Sequence, residues 1–357
     1  MTNHVFVIIP NWNGAKRLGA SIESVLSQSY KDFSLVVVDN GSTDNSRQII
    51  KQYQNKDSRV KAIYRDKNYG YTGGVNPGFE LAIEEKAIYA APFNNDAVAD
   101  KDWLKHLVDF LDDNPKYGIA ACTILHEDGK TIDSTADQYT VWGIPFPRGR
   151  DEQASSRYDQ DTNIFGASGG ASMYRVKMLA EIGVLDQDFF AYYEDIDLSF
   201  RAQLAGWKVV FVPKSVVFHE QGKTSAALAK RQSNGRVATS FTTKQYMRNL
   251  PFIIVKDVPA GIVWHILPRF AVAYTLFFFK AIMQGRGWGA IQGAAIFWFK
   301  LPKKIVERHH IQKSRRVSNA YIWKIILHDL PPNAYKLRKI RSFWWRITGR
   351  ASRADAK

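Results

Sequence analysis

Cysteine is almost absent from this sequence: its 357 residues include only Cys122. A lone thiol cannot form an intrachain disulfide, which excludes a small disulfide-stabilised secreted fold and is compatible with a reducing compartment. The N-terminal stretch MTNHVFVIIPNWNG also lacks the basic segment, the long apolar run and the cleavage site of a secretory signal. We therefore expect no signal peptide and a cytoplasmic location.

The sequence also lacks the glycine pattern of a dinucleotide-binding site. Such a site needs G-x-G-x-x-G after the first strand, so that the pyrophosphate can approach the start of a helix. Here the corresponding turn reads PNWNGAKR and contains one glycine. An NAD-type cofactor is therefore not expected.

Acidic residues are scarce in the C-terminal part of the chain. Residues 248–357 contain 21 Lys and Arg against 4 Asp and Glu, whereas residues 1–247 contain 28 and 30. The net charge of +15 thus belongs to a C-terminal segment and not to the whole protein. Such asymmetry indicates an anionic partner, either lipid headgroups or nucleic acid.

Residues 1–120 alternate between short β-branched runs and helix-like patterns. HVFVIIP and FSLVVVD predict buried strands, whereas ASIESVLSQSY and DWLKHLVDFLDD have apolar residues at helical spacing. This alternation predicts an α/β fold with a mainly parallel, Rossmann-like sheet flanked by helices. Four predicted strands end in polar segments, and ligands bind beyond such carboxyl ends. These segments are residues 10–14, 39–42, 66–74 and 94–96.

Three polar residues at predicted strand ends have both a structural and a functional interpretation. Asp39 either forms an Asp-Asn-Gly turn or accepts hydrogen bonds from a ribose hydroxyl or a base N–H. Asp96, in the NND of residues 94–96, offers a hard oxygen ligand for a divalent cation. His219 is either a hydrogen-bonded structural residue or a metal ligand, and the second interpretation requires Asp96 nearby.

The stretch YYEDIDLSFRAQLAGW places Glu194, Asp195 and Asp197 at the start of a predicted helix. Acidic residues in a first turn interact favourably with the helix dipole, by about 0.3–1 kcal/mol each. One or two would suffice for that purpose. A carboxylate beside aromatic rings is also partly desolvated, which favours a general base. The residues alone leave both interpretations open.

Six segments occur in a fixed order between residues 7 and 222: VIIPNWNG, VVVDNGSTDNS, NYGYTGGVNPG, NNDAV, GGASMYR and FFAYYEDIDLSFRAQLAGWKVVFVP…VVFHEQG. This ordered set resembles the inverting family-2 glycosyltransferases of the GT-A fold, on the rhamnosyltransferase-like branch. The resemblance implies a catalytic domain at residues 1–247.

The resemblance implies a binding site for a nucleoside-diphosphate sugar. Its donor-binding residues would be Pro10, Asn11, Asn13, Asp39, Asn68, Gly73, Asn76, Asn94, Asp96, Ser168, Gly169 and Gly170. Asp96 and His219 would hold Mg²⁺ or Mn²⁺ at the diphosphate. Asn94 stands where the family usually has the first aspartate of an Asp-x-Asp motif.

The resemblance also assigns a role to the acidic stretch. Asp195 would remove the proton from the acceptor hydroxyl, with Glu194 or Asp197 orienting it or the acceptor. The acceptor oxygen would then attack the anomeric carbon from the face opposite the diphosphate, and the configuration would invert.

Residues 248–357 combine basic and aromatic residues, as in VWHILPRFAVAYTLFFFKAIM and KLRKIRSFWWRITGR. A spanning helix needs about 20 mostly apolar residues. Arg269, Lys280 and Arg286 interrupt the apolar runs, so we expect helices that lie in or on an anionic membrane surface. The structural alternative is that the apolar faces pack on the catalytic domain or on a second subunit. No nucleic-acid motif accompanies the charge, so nucleic acid is not the expected partner.

Together these features predict metal-dependent transfer of a UDP- or dTDP-linked sugar, rhamnose among the candidates. The acceptor would be lipid-linked or a growing polysaccharide at the cytoplasmic face of the membrane. The alternatives are a catalytically silent sugar-nucleotide-binding scaffold and a basic module joined to an unrelated α/β domain.

Overall fold

The computed structural model describes residues 4–159, 162–219 and 239–330. Within these residues, nine strands form one mixed sheet and two more form a small hairpin. The strands are β1 (Val5–Asn11), β2 (Phe33–Asp39), β3 (Val60–Tyr64), β4 (Tyr89–Pro92), β5 (Ala97–Ala99), β6 (Tyr117–His126), β7 (Ile132–Ser134), β8 (Asp137–Tyr139), β9 (Pro145–Pro147), β10 (Met173–Arg175) and β11 (Lys208–His219).

Helices cover both faces of the large sheet and continue beyond it. They are α1 (Ala15–Leu26), α2 (Ser46–Lys56), α3 (Gly70–Glu84), α4 (Trp103–Asp113), α5 (Val176–Ile182), α6 (Glu194–Leu204), α7 (Ser240–Lys256), α8 (Ala260–Met283), α9 (Gly287–Lys313) and α10 (Asn319–Ile325). Short 3₁₀ turns occur at Ser156–Tyr158 and Gln187–Phe189.

The strand order is β3-β2-β1-β4-β10-β6-β11-β5, with β7 on β6 and the hairpin β8-β9 apart. The first four strands are parallel, as are β6 and β11. Strand β10 is antiparallel to both β4 and β6 and joins the two parallel groups. The α/β fold and the mainly parallel sheet predicted from the alternating pattern are therefore confirmed.

The strands are apolar on both sides because both sheet faces are covered. Along β1, Val5 and Val7 enter one core while Phe6 and Ile8 enter the other. Side chains alternate in direction along a strand, so one continuous apolar run supplies both cores. Polar residues are thereby left to the strand ends, where the site lies.

Helix α7 extends the buried core of the N-terminal part into the C-terminal part of the chain. Its Phe252 and Ile253 share one buried cluster with Ile196 and Phe200 of α6. The helix spans Ser240–Lys256 without interruption, so the boundary predicted between residues 247 and 248 falls inside it. The shared apolar core explains why the change in charge does not coincide with a structural boundary.

Helix α8 has a largely exposed apolar surface. At 1.5 Å per residue its 24 residues extend about 36 Å. Among the described residues it is the one helix whose length and composition would allow it to cross a membrane, although Arg269 and Lys280 lie within it. The basic aromatic stretch at residues 336–350 lies outside the described residues.

Candidate active site

Short polar side chains join the carboxyl ends of β1 and β2. The amide nitrogen of Asn11 donates to Ser42 Oγ at 3.2 Å, and Asn13 Oδ1 accepts from the Thr43 backbone N–H at 2.8 Å. Asn13 has a φ of 51°, a left-handed conformation in which asparagine is enriched. Two predicted donor-binding residues thus belong to one hydrogen-bonded rim.

The start of α3 packs closely on this rim. A Cβ on Gly74 would lie 2.8 Å from Pro10 Cβ, and one on Gly73 would lie 2.2 Å from Tyr69 Cβ. Both contacts are too short for a real side chain. The close approach of α3 to Pro10 therefore requires glycine at position 74, whereas Gly73 makes room for Tyr69 of its own segment.

Asp39 is fully buried and only partly paired. Arg47 Nε donates to its Oδ2 at 2.7 Å. Its Oδ1 has no hydrogen-bond partner among the described residues. An unsatisfied buried acceptor costs free energy, and a ligand N–H or O–H would remove that cost. Arg47, eight residues further along the chain, was not identified from the sequence.

Asn40 organises the loop that carries Asn68. Its amide nitrogen donates to Asn68 Oδ1 at 3.1 Å and to the Gly70 carbonyl at 2.8 Å, and its Oδ1 accepts from the Tyr69 backbone N–H. Asn68 Oδ1 also accepts from the Gly70 N–H at 2.7 Å. Asn40 was missed by the sequence analysis because the polar turn DNGS gives no sign of partners 28 residues away.

Asn76 has a structural role that differs from its predicted place in the nucleotide loop. Its side chain is buried, donates to the Leu185 carbonyl at 2.8 Å and accepts from the Leu185 N–H at 3.1 Å. Both ends of the amide thus bind one backbone position 109 residues away. The amide joins α3 to the segment before α6, and this geometry gives no support to donor binding by Asn76.

His219 lies between two carboxylates. Its Nε2 is 3.0 Å from Asp96 Oδ1, and its Nδ1 is 2.9 Å from Asp133 Oδ2. The amide nitrogen of Asn94 is 3.3 Å from Nε2. Burial lowers the pKa of His219, but the hydrogen bonds to Asp133 and Asp96 outweigh it and raise the pKa to about 9. Asp96 thus lies next to His219, which is the condition that the metal-ligand interpretation of His219 required.

These donors fit a divalent cation. Asp96 Oδ1 and His219 Nε2 converge on one position. They form a ligand pair that Zn²⁺ and Mn²⁺ accept once the proton between the two atoms is released. Asp133 contacts the other ring nitrogen, the contact that usually orients a metal-bound histidine. A cavity of about 20 Å³ lies here, with Asn94 and Ser168 in its lining. Asp133 was missed because nothing in its short strand β7 indicates a histidine 86 residues away.

A second acidic group, Asp186, Asp188 and Glu307, satisfies the distances of a metal site but not its charge balance. Four lysine ammonium groups bind these carboxylates, from Lys256, Lys300, Lys303 and Lys304. A cation would have to displace them. We therefore regard this group as an ion-pair network.

The loop at Ser168–Gly170 links the metal side to the acidic stretch. The Gly169 N–H donates to Asp195 Oδ2 at 3.0 Å, and the Gly169 carbonyl accepts from Tyr71 Oη at 2.6 Å. A Cβ on Gly170 would lie 2.9 Å from the amide nitrogen of Asn94. Small residues are therefore needed where the sequence analysis placed the donor sugar.

Helix α6 begins at Glu194 after a strained turn. Phe190, Tyr192 and Tyr193 all have positive φ, between 61° and 71°, which is rare for aromatic residues. Such strain costs on the order of 1–3 kcal/mol per residue and concentrates at functional sites. The turn delivers Asp195, only partly exposed, to the Gly169 loop.

The two carboxyls at the start of α6 have raised pKa values. Burial raises the pKa of Asp195, and the backbone N–H groups of Gly169 and Ile196 offset this only in part. Burial, followed by the nearby Asp195 charge, raises the pKa of Glu194 well above its ordinary value. Glu194 Oε2 has no hydrogen-bond partner among the described residues. The arrangement favours a neutral Glu194 beside an ionisable Asp195.

Asp197 does not fit the acceptor-binding role that the resemblance implied. Its side chain is fully buried, with Oδ2 2.8 Å from Arg201 Nη2 and Oδ1 2.5 Å from Lys256 Nζ. Despite its burial, the charges of Arg201 and Lys256 hold its pKa below the ordinary range. Asp197 therefore joins α6 to α7 and is not available to an acceptor.

Residues 6–183 match the model of Glycosyl transferase family 2. The chain carries a family 2 glycosyltransferase domain. The match ends before Glu194, so the acidic stretch of α6 lies beyond the matched residues.

Three curated relatives resemble parts of the glycosyltransferase chain. An uncharacterized glycosyltransferase of Nostoc sp. is 35% identical over 38% of this chain and 41% of its own length. Glucomannan 4-beta-mannosyltransferase 1 of Cyamopsis tetragonoloba is 26% identical over 78% and 52%. N-acetylglucosaminyl-diphospho-decaprenol L-rhamnosyltransferase of Mycobacterium tuberculosis is 26% identical over 63% and 78%. The chain therefore spans about half the length of the first two relatives.

Solved structures support the GT-A type of fold. S. aureus TarS 1-349 in complex with UDP-GlcNAc has a TM-score of 0.52 at 17% identity, over 87% of this chain and 90% of that one. The mannosyltransferase PcManGT of Pyrobaculum calidifontis, in complex with GDP-Man and Mn²⁺, has a TM-score of 0.51 at 15% identity, over 90% and 83%. At such identity the likeness shows the fold alone.

Proposed function

We propose that this protein transfers a sugar from a nucleoside-diphosphate donor to an acceptor hydroxyl, with inversion at the anomeric carbon. One observation carries the proposal: the Gly169 N–H binds Asp195, and the adjacent Gly170 packs on Asn94 beside His219 and Asp96. A base and a metal-binding pair thus border one short loop of small residues. Family 2 membership supports the same reaction class.

The donor nucleotide would lie along the ends of β1 and β2. The unpaired Oδ1 of Asp39 would accept a hydrogen bond from the base or ribose. The rim of Pro10, Asn11 and Asn13 and the loop at Asn68 and Gly73 would enclose it. One structural neighbour binds UDP-GlcNAc, another binds GDP-Man, and one relative is named an L-rhamnosyltransferase. An assay with several donors therefore decides between a UDP-sugar and a dTDP-sugar.

Asp96 and His219 would hold Mg²⁺ or Mn²⁺, which would stabilise the charge of the leaving diphosphate. Asp133 would keep the imidazole of His219 oriented toward this position. Asn94 and the backbone of Ser168–Gly170 would surround the donor sugar.

Asp195 would act as the general base. Its carboxylate takes the proton of the acceptor hydroxyl as that oxygen bonds to the anomeric carbon and the bond to the diphosphate breaks. The Gly169 N–H fixes the orientation of Oδ2, and the raised pKa makes Asp195 a stronger base than an exposed aspartate. The acceptor would be lipid-linked or a growing polysaccharide, at a membrane surface bound through the C-terminal helices.

The test measures nucleotide release and sugar transfer with UDP-glucose, UDP-galactose, UDP-GlcNAc and dTDP-rhamnose. Each donor is assayed with Mg²⁺ or Mn²⁺, with and without a membrane lipid extract. Metal-dependent turnover of one donor identifies the enzyme. Nucleotide binding without turnover in any condition would instead favour a silent sugar-nucleotide-binding protein, and absence of nucleotide binding would refute both.

The variant Asp195→Asn belongs in the same assay. General-base assistance contributes about 10²–10⁴-fold, so we expect turnover to fall by that factor while donor binding, measured by titration calorimetry, is retained. In the wild type the rate should rise with pH through the pKa of Asp195, because the ionised form is the base. This acidic limb should lie above the range of an ordinary aspartate.

A further inference from the structure

Side chains of helix α7 bind three carbonyls of the strained turn before α6. Three non-glycine residues in left-handed conformations, Phe190, Tyr192 and Tyr193, precede Glu194 directly. Backbone in such conformations persists only where surrounding contacts over-determine it. The Phe190 carbonyl accepts from the Thr72 N–H of α3 at 3.2 Å. The carbonyls of Phe189, Ala191 and Tyr192 are bound by side chains of α7.

Asn249 of α7 supplies most of these contacts. Its side chain is fully buried, and its amide nitrogen lies 3.0 Å from the Phe189 carbonyl, 2.9 Å from that of Ala191 and 2.7 Å from that of Tyr192. The two N–H bonds of one amide thus lie within hydrogen-bond distance of three carbonyls of the turn, so one N–H is shared between two of them. The sequence distance is 57–60 residues, so local folding does not explain the arrangement.

Arg248 supports Asn249 from the adjacent position. Its Nε donates to Asn249 Oδ1 at 2.8 Å, which fixes the amide with its nitrogen toward the turn. Its Nη2 also contacts the Phe189 carbonyl. The contact with Arg248 therefore determines which end of the Asn249 amide is oxygen and which is nitrogen. Arg248 and Asn249 together present N–H donors that are already oriented toward the turn.

We infer that Asn249 and Arg248 are positioning residues for the proposed base, so that helix α7 is part of the catalytic unit. The turn they hold ends at Tyr193, whose carbonyl accepts the first backbone bond of α6 from Asp197. Asp195 lies between these two residues. A shift of the turn would therefore move the Asp195 carboxylate away from the Gly169 N–H, 3.0 Å distant.

The inference rests on the proposed role of Asp195 and predicts a specific kinetic signature. The donor-binding rim lies on β1, β2 and α3, and none of its side chains contacts Asn249 among the described hydrogen bonds. We call the contacts of Asn249 and Arg248 with this turn the clamp. Loss of the clamp should lower kcat and leave donor KM near the wild-type value. Misplacement of a reacting group by 1 Å can cost about 100-fold in rate.

The first variant is Asn249→Ala, assayed in the full chain. We expect kcat to fall by about 10²-fold, while donor KM and calorimetric UDP affinity remain unchanged. The second variant, Asn249→Asp, keeps the shape and the acceptor for Arg248 but turns an oxygen toward three carbonyls. The kcat of Asn249→Asp should fall as far as that of Asn249→Ala, because the turn requires the N–H donors of Asn249 and not only its shape.

Gln28→Ala is the matched control. Gln28 is also a fully buried amide that binds two carbonyls, of Ser24 and Asp100, but it joins α1 to the segment before α4. It should lose thermal stability and retain kcat. A similar fall of kcat in Gln28→Ala and Asn249→Ala would overturn the inference, since general destabilisation would then explain both.

Hydrogen exchange gives a readout that does not depend on activity. In Asn249→Ala the amides of residues 190–196 should exchange faster than in the wild type, with unchanged exchange in α1. Unchanged exchange at 190–196, or a wild-type kcat in Asn249→Ala, would refute the clamp. If exchange is faster in Asn249→Ala but Asp195→Asn keeps full turnover, the clamp is supported and the role of Asp195 as the base is refuted.

Discussion

Two adjacent carboxyls, Glu194 and Asp195, have different environments. Asp195 accepts from two backbone N–H groups, which favour its ionised form. Glu194 is more deeply buried and has an unpaired oxygen, which favours its neutral form. Environments that separate the pKa values of neighbouring acids assign different roles to them. The proposed base is therefore Asp195, and Glu194 is its neutral neighbour.

Glu194→Gln tests this division. Glutamine reproduces the shape and charge of a neutral glutamic acid, so we expect most of the wild-type kcat to remain. The matched change Asp195→Asn, also carboxyl to amide, should lose about 10²–10⁴-fold. Steady-state assays of both variants with the identified donor provide the comparison. An equal loss in the two variants would show that Glu194 is ionised during the reaction.

Asp133 shows which part of the site a sequence can and cannot reveal. Asp39 and His219 end strands β2 and β11, and Asp96 lies in the turn between β4 and β5, so apolar runs visible in the sequence lead to all three residues. Those runs alone did not place Asp96 beside His219. Asp133 lies in a three-residue strand that pairs antiparallel with β6 at its far end. Its contact with His219 arises only when β7 pairs with β6 in the folded protein, so no local sequence pattern indicates it.

Asp133→Asn should weaken the apparent affinity for Mn²⁺ by about 10–100-fold, because a partner of the imidazole is lost. Turnover at saturating metal should be largely retained. The matched control is Asp128→Asn, in the exposed turn that leads to the same strand. Metal titrations of activity would measure both, and an unchanged metal affinity in Asp133→Asn would remove Asp133 from the metal side.

At the scale of elements, helices α7 and α9 are bound to α6 and the segment before it by buried charges. Lys256 is almost fully buried, 2.6 Å from Asp186 and 2.5 Å from Asp197. Lys304, also buried, binds Asp186 and Asp188. The lysine charges hold the pKa values of Asp186 and Asp188 far below the ordinary range despite burial. The sequence does not reveal these pairs, and from it the basic C-terminal segment as a whole was expected to meet an anionic membrane surface.

Lys256→Met should lower the free energy of unfolding by about 3–5 kcal/mol, because it leaves Asp186 and Asp197 buried without this partner. Urea denaturation at neutral pH measures the change. The control Lys61→Met removes a partly exposed pair with Glu85 and should change stability little. Equal small effects would show that water reaches the Lys256 site.

At the scale of the whole molecule, part of the basic charge of the C-terminal segment is bound within the protein. The ammonium groups of four lysines, Lys256, Lys300, Lys303 and Lys304, bind carboxylates of the catalytic part. Large apolar side chains remain exposed on α8 and α9. They include Trp264, Val272, Leu276, Phe279 and Met283 on α8, and Trp288, Trp298 and Phe299 on α9. An apolar surface of this extent on a soluble monomer usually marks a binding surface.

Membrane binding through these two helices is the prediction at this scale. Wild-type protein should sediment with vesicles that contain phosphatidylglycerol, and less with phosphatidylcholine alone, because cationic side chains add to apolar burial. Trp264, 73% exposed, and Phe299, 82% exposed, should each contribute about 1.5–3 kcal/mol when buried. Trp264→Ser and Phe299→Ser should therefore each weaken vesicle affinity by roughly tenfold or more.

The control is Ile88→Ser, which removes an exposed apolar side chain from the catalytic part of the chain. It should leave vesicle affinity unchanged. If all three variants bound vesicles like the wild type, the apolar faces of α8 and α9 would not meet lipid. A concentration-dependent dimer in light scattering, lost in Trp264→Ser and Phe299→Ser alone, would then assign the same faces to a second copy of the chain, since such surfaces require burial by one partner or the other.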